Sequence, residues 1–311
     1  RRPPRSTLFR YTTLFRSNEK HSMTYGNLRT LLLEKLSGQY NIREANNLFY
    51  EIVEHYSRLT RALIVLHFTE EVPETALNQM LSALELLQSG KPLQYIIGIS
   101  WFNNLRLTVT PAVLIPRQET MQMCTLIEKL HLIAGFHAPF RILDIGTGSG
   151  CIAIDLKLRF PLSTVTAIDI SSDAIEVAEL NARMNKAEIT FVNLDISDSS
   201  LWNHLDDFEL IVSNPPYIPV AEIKEMKPNV TENEPFIALF VPDNDPLRFY
   251  KLIFDFARSH LVAGGAVYVE IHENFGQQIH ELACKYGFPE IMILNDLNDR
   301  PRFARAVTAP A

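Results

Sequence analysis

The stretch RILDIGTGSG, residues 141–150, decides the fold. RILDI is a short apolar run of strand length. Gly146, Gly148 and Gly150 follow it, and a helical pattern opens at Cys151. Glycines at that point let the backbone turn sharply and approach a ligand. The first amides of the helix then point at a carboxylate or phosphate. Gly146, Thr147, Gly148, Ser149 and Gly150 are therefore expected to form a cofactor-binding loop. Asp144, just ahead of the loop, is a candidate to brace it through hydrogen bonds.

Downstream, apolar strands alternate with helices. VTAIDI (165–170), ITFVNL (189–194), FELIVS (208–213) and GAVYVEI (265–271) read as strands, with helices from Cys151, from Ser172 and near 246–261. Apolar strands separated by helices indicate an α/β fold with a doubly wound, mostly parallel sheet of Rossmann-like type. Asp169, at the end of the second of these strands, stands where a ribose-binding acid is expected. The glycine spacing is G-x-G-x-G rather than the dinucleotide G-x-G-x-x-G, and no P-loop lysine follows. That favours S-adenosyl-L-methionine, whose amino-acid end carries a carboxylate, over NAD or ATP. In NLDISD (193–198), Ile196 is expected to pack on the adenine and Asp195 to reach its exocyclic amine; an exposed acidic loop is the competing reading.

SNPPYIP (213–219) follows the strand FELIVS and so belongs at the same carboxyl edge of the sheet as the glycine loop. Proline ends a strand because it lacks an N–H and has a fixed φ. Two in succession after Asn214 give a rigid turn that offers carbonyl oxygens and no amide donors. An amino group on an sp² carbon has a delocalised, weakly nucleophilic lone pair. The Asn214 side-chain oxygen and the Pro215 carbonyl could accept both of its N–H bonds and aim that lone pair at a methyl group on sulfur. Pro215 and Pro216 would fix the geometry and Tyr217 would pack on the planar group. Asn214, Pro215, Pro216 and Tyr217 are the expected catalytic residues, and Asn214 also borders the cofactor.

Upstream, residues 23–89 carry a helical pattern: Leu28, Leu31, Leu32 and Leu36, then Ala45, Leu48, Phe49, Ile52 and Val53. They are expected to form a small helical domain. Residues 90–116 change period, with Tyr95, Ile97, Leu105, Leu107 and Val109 in a β-rich pattern about Asn103-Asn104, and read as a hairpin linker. The large domain then runs over 117–311. Residues 1–22 are read as an artefactual extension, because STLFRYTTLFRS (6–17) repeats TLFR and resembles a translated sequencing adapter. An Arg-rich targeting peptide is the rival reading.

With 47% hydrophobic and 21% charged residues the composition is that of an ordinary globular chain. No apolar run approaches a membrane span, so no membrane association is expected. Residues 1–17 hold five arginines and no acid, leaving 24 basic against 36 acidic residues, a balance poorly suited to gripping phosphate backbones. Cys124, Cys151 and Cys284 are too few and scattered for a disulfide framework or a metal cluster, which points to a cytoplasmic protein and no metal.

PLQYIIG (92–98), LIPRQET (114–120), DIGTGSG, SNPPYIP, EPFIALFVPDNDPLRFY (234–250), LVAGGAVYVEI (261–271) and DLNDRPRFARA (296–306) together resemble the peptide-chain release factor glutamine-N5 methyltransferases, the HemK/PrmC family. The resemblance runs from Met23 to the C-terminus. It implies methyl transfer from S-adenosyl-L-methionine to the glutamine of the Gly-Gly-Gln loop of release factors. It also implies that the helical domain helps dock the release factor, and that Pro116, Arg117, Glu119 and Thr120 lie near the cofactor. A monomer is expected. Two departures are visible: DLNDRPRF lacks the glycine often found between Asp and Arg, and relatives place an aromatic residue at the position of Ile196. The alternative function, a DNA or RNA amino (adenine-N6 type) methyltransferase, shares the site chemistry. It calls for a basic groove that this acidic chain does not show, so no stable nucleic-acid binding is expected.

Overall fold

Parallel strands buried on both faces organise the larger part of the chain. The computed structural model describes residues 22–133 and 139–311. The extension read at 1–22 lies outside the described residues apart from Ser22. The chain divides into two compact units, with the boundary between Ser89 and Gly90.

The first unit is helical: α1 (Tyr25–Leu36), α2 (Ile42–Ser57), α3 (Arg61–Leu66) and α4 (Glu74–Gln88). Leu28, Leu32 and Leu36 recur every fourth residue and bury one face of α1. Ala45, Phe49, Ile52 and Val53 do the same on α2. Asn41 opens α2 with a capping box: its side chain accepts from Arg43 and Glu44 amides at 3.0 Å, while Glu44 reaches back to the Asn41 N–H.

The second unit begins with α5 (Leu93–Ile97), then the hairpin β1 (Ile99–Phe102) and β2 (Leu105–Thr108), and α6 (Gln118–Ile133). Here the structure corrects the sequence reading. Tyr95 and Ile97 lie on a helix, not a strand, because Pro92 starts a turn that Gly98, at φ 68°, ends in the left-handed region. The hairpin is also not a free linker. Phe102, Leu105 and Leu107 enter the core of the larger unit. The buried Asn181 side chain accepts from Thr108 N at 2.6 Å and donates to the carbonyls of Thr108 and Ser149, both at 2.9 Å. One side chain thus fastens the hairpin to the glycine loop.

The sheet follows: β3 (Arg141–Ile145), α7 (Cys151–Arg159), β4 (Thr164–Asp169), α8 (Ser172–Met184), β5 (Thr190–Asn193) and β6 (Phe208–Ser213). After the short β7 (Ile218–Pro219), α9 (Pro228–Thr231), α10 (Phe236–Leu239) and β8 (Phe240–Val241) come α11 (Arg248–His260), β9 (Leu261–Glu270), α12 (Gly276–Lys285), β10 (Glu290–Asn295) and β11 (Pro301–Val307). The strand order is β10-β11-β9-β6-β3-β4-β5, with β9, β6, β3, β4 and β5 parallel and β11 antiparallel to both its neighbours, β9 and β10. Alternation along each strand feeds two cores. Ile142, Leu210, Val212 and Tyr268 face α6 and α7. Leu143, Ile145, Ile211 and Val267 face α11 and α12.

The chain leaves β3 toward β4 and β5 on one side, and later returns to place β6 on the other. The crevice beyond β3 and β6 is therefore the topological switch point, where open α/β sheets bind ligands. The closing hairpin was not foreseen. Its turn forms without glycine because Asp299 takes φ 61°, a conformation Asp tolerates, and accepts from Asn295 Nδ2 at 2.8 Å.

Asn181→Ala leaves three backbone groups, the Thr108 N–H and the carbonyls of Thr108 and Ser149, without their partner. It should destabilise the protein by about 2–4 kcal/mol, the scale of buried polar groups left unpaired, as measured by urea denaturation. A loss too small to resolve would show that the hairpin holds to the sheet without this tie.

Candidate functional site

The crevice at the switch point holds a cleft of about 360 Å³. Gly146, Thr147, Gly148 and Ser149 line it after β3, Asp169 and Ser171 after β4, Asp195 and Ile196 after β5, and Asn214, Pro215 and Pro216 after β6. Four consecutive strand ends thus converge on one space. Arg117 and Thr120 line its other side. Gly150, Tyr217 and Glu119 do not.

The glycine loop has the geometry its composition calls for. Gly146 and Gly148 have φ of 71° and 54°, and a Cβ on either would meet no atom within 4 Å, so both backbones lie open. Gly150 serves packing instead: at φ 80°, a Cβ there would come within 3.1 Å of Ala178 on α8. Asp144 is fully buried and braces the loop as anticipated. Its Oδ2 accepts from Thr147 Oγ1 at 2.7 Å and from Ala153 N at 3.2 Å, while Oδ1 has no partner among the described residues. Burial pushes the Asp144 carboxyl up to about 7. Asp169 accepts from Gly148 N at 2.8 Å and Ser171 N at 2.9 Å. Burial raises its pKa, and those two amides oppose the rise. Each Asp169 oxygen keeps a lone pair for a ligand. Asp195 closes its own turn by accepting from Ser197 N at 2.8 Å, and the Ile196 carbonyl is held by Trp202 Nε1 at 3.0 Å.

Beyond β6, Ser213 Oγ donates to the Ile145 carbonyl at 2.7 Å and pins the two strand ends together. Asn214 Nδ2 donates to Thr120 Oγ1 at 3.1 Å, and Thr120 Oγ1 donates to Glu270 Oε2 at 2.7 Å. No protein donor reaches Asn214 Oδ1 or the Pro215 carbonyl among the described residues. Tyr217 departs from the sequence reading. Its ring packs into the apolar layer, edge-on to His272 at 6.2 Å, and its hydroxyl donates to Glu270 Oε1 at 3.0 Å. The tyrosine that was expected to cover a planar substrate group instead anchors the turn from behind. Burial, with the Glu270 carboxylate alongside, pushes its hydroxyl pKa up.

Arg117 forms a 2.6 Å ion pair with Glu234, whose other oxygen accepts from Ile115 N at 3.2 Å. This pair ties the segment before α6 to the segment before α10. Glu119 does not reach the cleft, though its charge acts on Glu270. Glu270 and Glu234 were not singled out from the sequence. A usable signal was present for Glu270, a lone acid within the otherwise apolar GAVYVEI. An unpaired charge in that setting is costly, so its presence asks for partners. Glu270 is 1% exposed, and burial pushes its carboxyl up to about 7 against the lowering effect of Thr120, Tyr217 and Arg302. Among the described residues no group of His, Cys, Asp and Glu is arranged to hold a metal ion, and no helix is long and apolar enough to cross a membrane.

Comparison with known proteins shows what the chain is similar to. Residues 125–234 match the Methyltransferase small domain model, and residues 31–98 match the PrmC N-terminal domain model. The release factor glutamine methyltransferase of Flavobacterium psychrophilum is 39% identical over 280 residues, covering 89% of this chain and 98% of that protein. The enzyme of the same name from Bacteroides thetaiotaomicron is 40% identical over 220 residues, covering 71% of this chain and 77% of that protein. Among solved structures, the hMettl16 catalytic domain, determined with an RNA hairpin, superposes with a TM-score of 0.50 at 15% identity, over 75% of this chain and 81% of that one. The last likeness shows the fold.

The buried carboxyls have a consequence for stability. A carboxyl whose pKa is raised on folding contributes fully below its unfolded pKa, and the contribution is lost as pH rises through the folded value. For Glu270 the window runs from about 4.5 to about 7. Unfolding free energy should therefore fall with pH across that window, by up to about 1.4 kcal/mol per pH unit for each such proton. Glu270→Gln should flatten the slope by close to one proton, with Asp144 and Asp169 supplying the remainder. Denaturation series at several pH values measure it, and an unchanged slope would place Glu270 in contact with water.

Proposed function

We propose, from the premise that the chain belongs to the release factor glutamine methyltransferase family, that it transfers a methyl group from S-adenosylmethionine to the side-chain amide nitrogen (N5) of a release-factor glutamine, with Asn214 and Pro215 aiming that nitrogen. The observation that carries this reading is the pair of unengaged acceptors, Asn214 Oδ1 and the Pro215 carbonyl, at the rim of the cleft that holds the glycine loop.

The residues present fit the cofactor. Gly146 and Gly148 leave the backbone open beside the start of α7, which suits a carboxylate. Asp169 has acceptor capacity left for two ribose hydroxyls. Ile196 gives an apolar surface for the adenine, and Asp195 stands beside it for the exocyclic amine. Bound there, S-adenosylmethionine supplies a methyl group on a positively charged sulfur. The protein's part is positioning. Two acceptors take the two N–H bonds of the substrate amide, so its nitrogen lone pair points along the line of attack. The same oxygens stabilise the positive charge that grows on nitrogen as the new N–C bond forms. The surplus N–H proton of the alkylated amide is acidic enough to leave to water, so no strong base is required. Pro216 stiffens the turn, and Tyr217 holds it through Glu270.

The helical unit, 23–89, is the proposed docking domain for the release factor, and 117–311 the methyltransferase domain. Ile42, Leu63, Val65 and Leu66 are exposed apolar side chains on the helical unit, suited to a protein partner. The acidic balance of the chain likewise favours a protein substrate over nucleic acid.

Two variants separate cofactor binding from chemistry. Asp169→Ala should weaken cofactor binding by roughly 1–3 kcal/mol, the scale of charge-assisted hydrogen bonds, read by calorimetry; unaltered affinity would remove Asp169 from the site. Asn214→Ala should slow single-turnover methylation of a release factor by about 10²–10³ with cofactor affinity little changed. Asn214→Asp should be milder, since an acceptor oxygen stays in place. If Asn214→Ala reacted at nearly the wild-type rate, the aiming role would be wrong.

A further inference from the structure

Asn214 lines the cleft, and its amide owes its orientation to a chain of hydrogen bonds that engages Nδ2 and leaves Oδ1 without a donor among the described residues. Asn214 Nδ2 gives to Thr120 Oγ1, Thr120 gives to Glu270 Oε2, and Tyr217 gives to Glu270 Oε1. An ionised carboxylate accepts and cannot donate. Thr120 has a single hydroxyl hydrogen, and once that is committed to Glu270 only lone pairs remain for Asn214. An amide that meets lone pairs turns its NH₂ toward them, so Oδ1 is left for the cleft. A protonated Glu270 permits the reverse order: its O–H gives to Thr120, Thr120 gives to Asn214 Oδ1, and the NH₂ swings outward. That NH₂ would then oppose the N–H bonds of a substrate amide, donor against donor.

We propose that Glu270 is a positioning residue that sets the direction of this hydrogen-bond chain, its ionised form acting through Thr120 to hold Asn214 Oδ1 toward the substrate amide. The proposal rests on the amide-accepting role assigned to Asn214 above. It gives the buried acid of β9 a task in the reaction although it does not line the cleft.

Several groups face Glu270 from the elements packed around it. Thr120 of α6 and Tyr217 of the turn donate to its carboxylate. Arg302 of β11 favours its charge and Glu119 of α6 opposes it. Tyr250 of α11 donates to its backbone carbonyl at 3.1 Å, while His272 engages Glu222 at 3.1 Å instead. With burial outweighing these partners, Glu270 titrates at about 7. The direction of the chain therefore changes within the range where the enzyme can be assayed.

The test is single-turnover methylation of a release factor at saturating cofactor and substrate, on both sides of neutral pH. Wild type should lose rate as pH falls through the Glu270 titration, with the dependence of one proton. Glu270→Gln places an NH₂ where the protonated acid had its O–H; it should be slow at every pH and lack that limb. Thr120→Val, nearly isosteric, should lose roughly tenfold in rate, the scale of one hydrogen bond, with little change in KM. Thr120→Ser keeps the hydroxyl and should recover the rate. Cofactor affinity by calorimetry should be unchanged in all three, and their melting transitions should remain cooperative. A folded Thr120→Val at wild-type rate, or a Glu270→Gln that keeps the wild-type pH limb, would overturn the relay while leaving the functional reading intact. A wild-type protein that binds cofactor and methylates no release factor would overturn that reading, and the relay with it.

Discussion

The carboxylate of Glu270 is where the parts of the site that come from distant points in the chain are held together. Thr120 reaches it from α6 and Tyr217 from the turn after β6, while Tyr250 of α11 donates to the Glu270 backbone carbonyl at the end of the long strand β9. Thr120 comes from the helix layer on one face of the sheet, and Tyr217 and Tyr250 pack in the core on the other. An ionisable group that is 1% exposed persists only where hydrogen bonds offset its desolvation, so the fold cannot let these elements drift apart. The Asn-Pro-Pro turn inherits that rigidity. Its prolines fix the backbone, but the backbone is fixed against the sheet by Tyr217 and Ser213, and the Asn214 side chain by Thr120.

The opposite wall of the cleft is built by a different device. There the glycine loop is held from beneath by Asp144 and from the side by Asp169, both through backbone or near-backbone contacts. A loop that must let a ligand approach its backbone closely cannot be packed from the ligand's side, so its bracing lies behind it. Asn181 extends the same logic outward, clasping the loop carbonyl of Ser149 and the end of the β1–β2 hairpin with one buried amide.

Much of this was legible in the sequence because two-sided burial leaves a strong mark. FELIVS is largely apolar and its strand bounds, 208–213, read to the residue, as does the start of α8 at Ser172. What was lost depends on tertiary context. Leu93–Ile97 has β-rich composition, yet a proline before it and a glycine after it make one helical turn. The antiparallel pair β10–β11 is half-exposed on its outer strand and so lacks the apolar run that marked the parallel strands. Gly150 looked like a ligand contact because it completes the glycine triplet, but the triplet serves two ends. The first two glycines open the loop, and the third lets α7 approach α8. Tyr217 was read from chemistry at its own position, and the deciding partner, Glu270, lies 53 residues away.

The same residues show why such a site is costly to keep. Asp144, Asp169 and Glu270 all have carboxyl pKa values raised by burial, so each lowers the stability of the folded chain as pH rises past its unfolded value. A protein selected for stability alone has no reason to bury Asp144 and Glu270 and half-bury Asp169 about one cleft. One holds the glycine loop from below, one faces the ligand, and one sits behind the turn that aims the substrate. Their cost is distributed over the places where geometry has to be held most tightly, which is the pattern expected when strain and desolvation are retained for function.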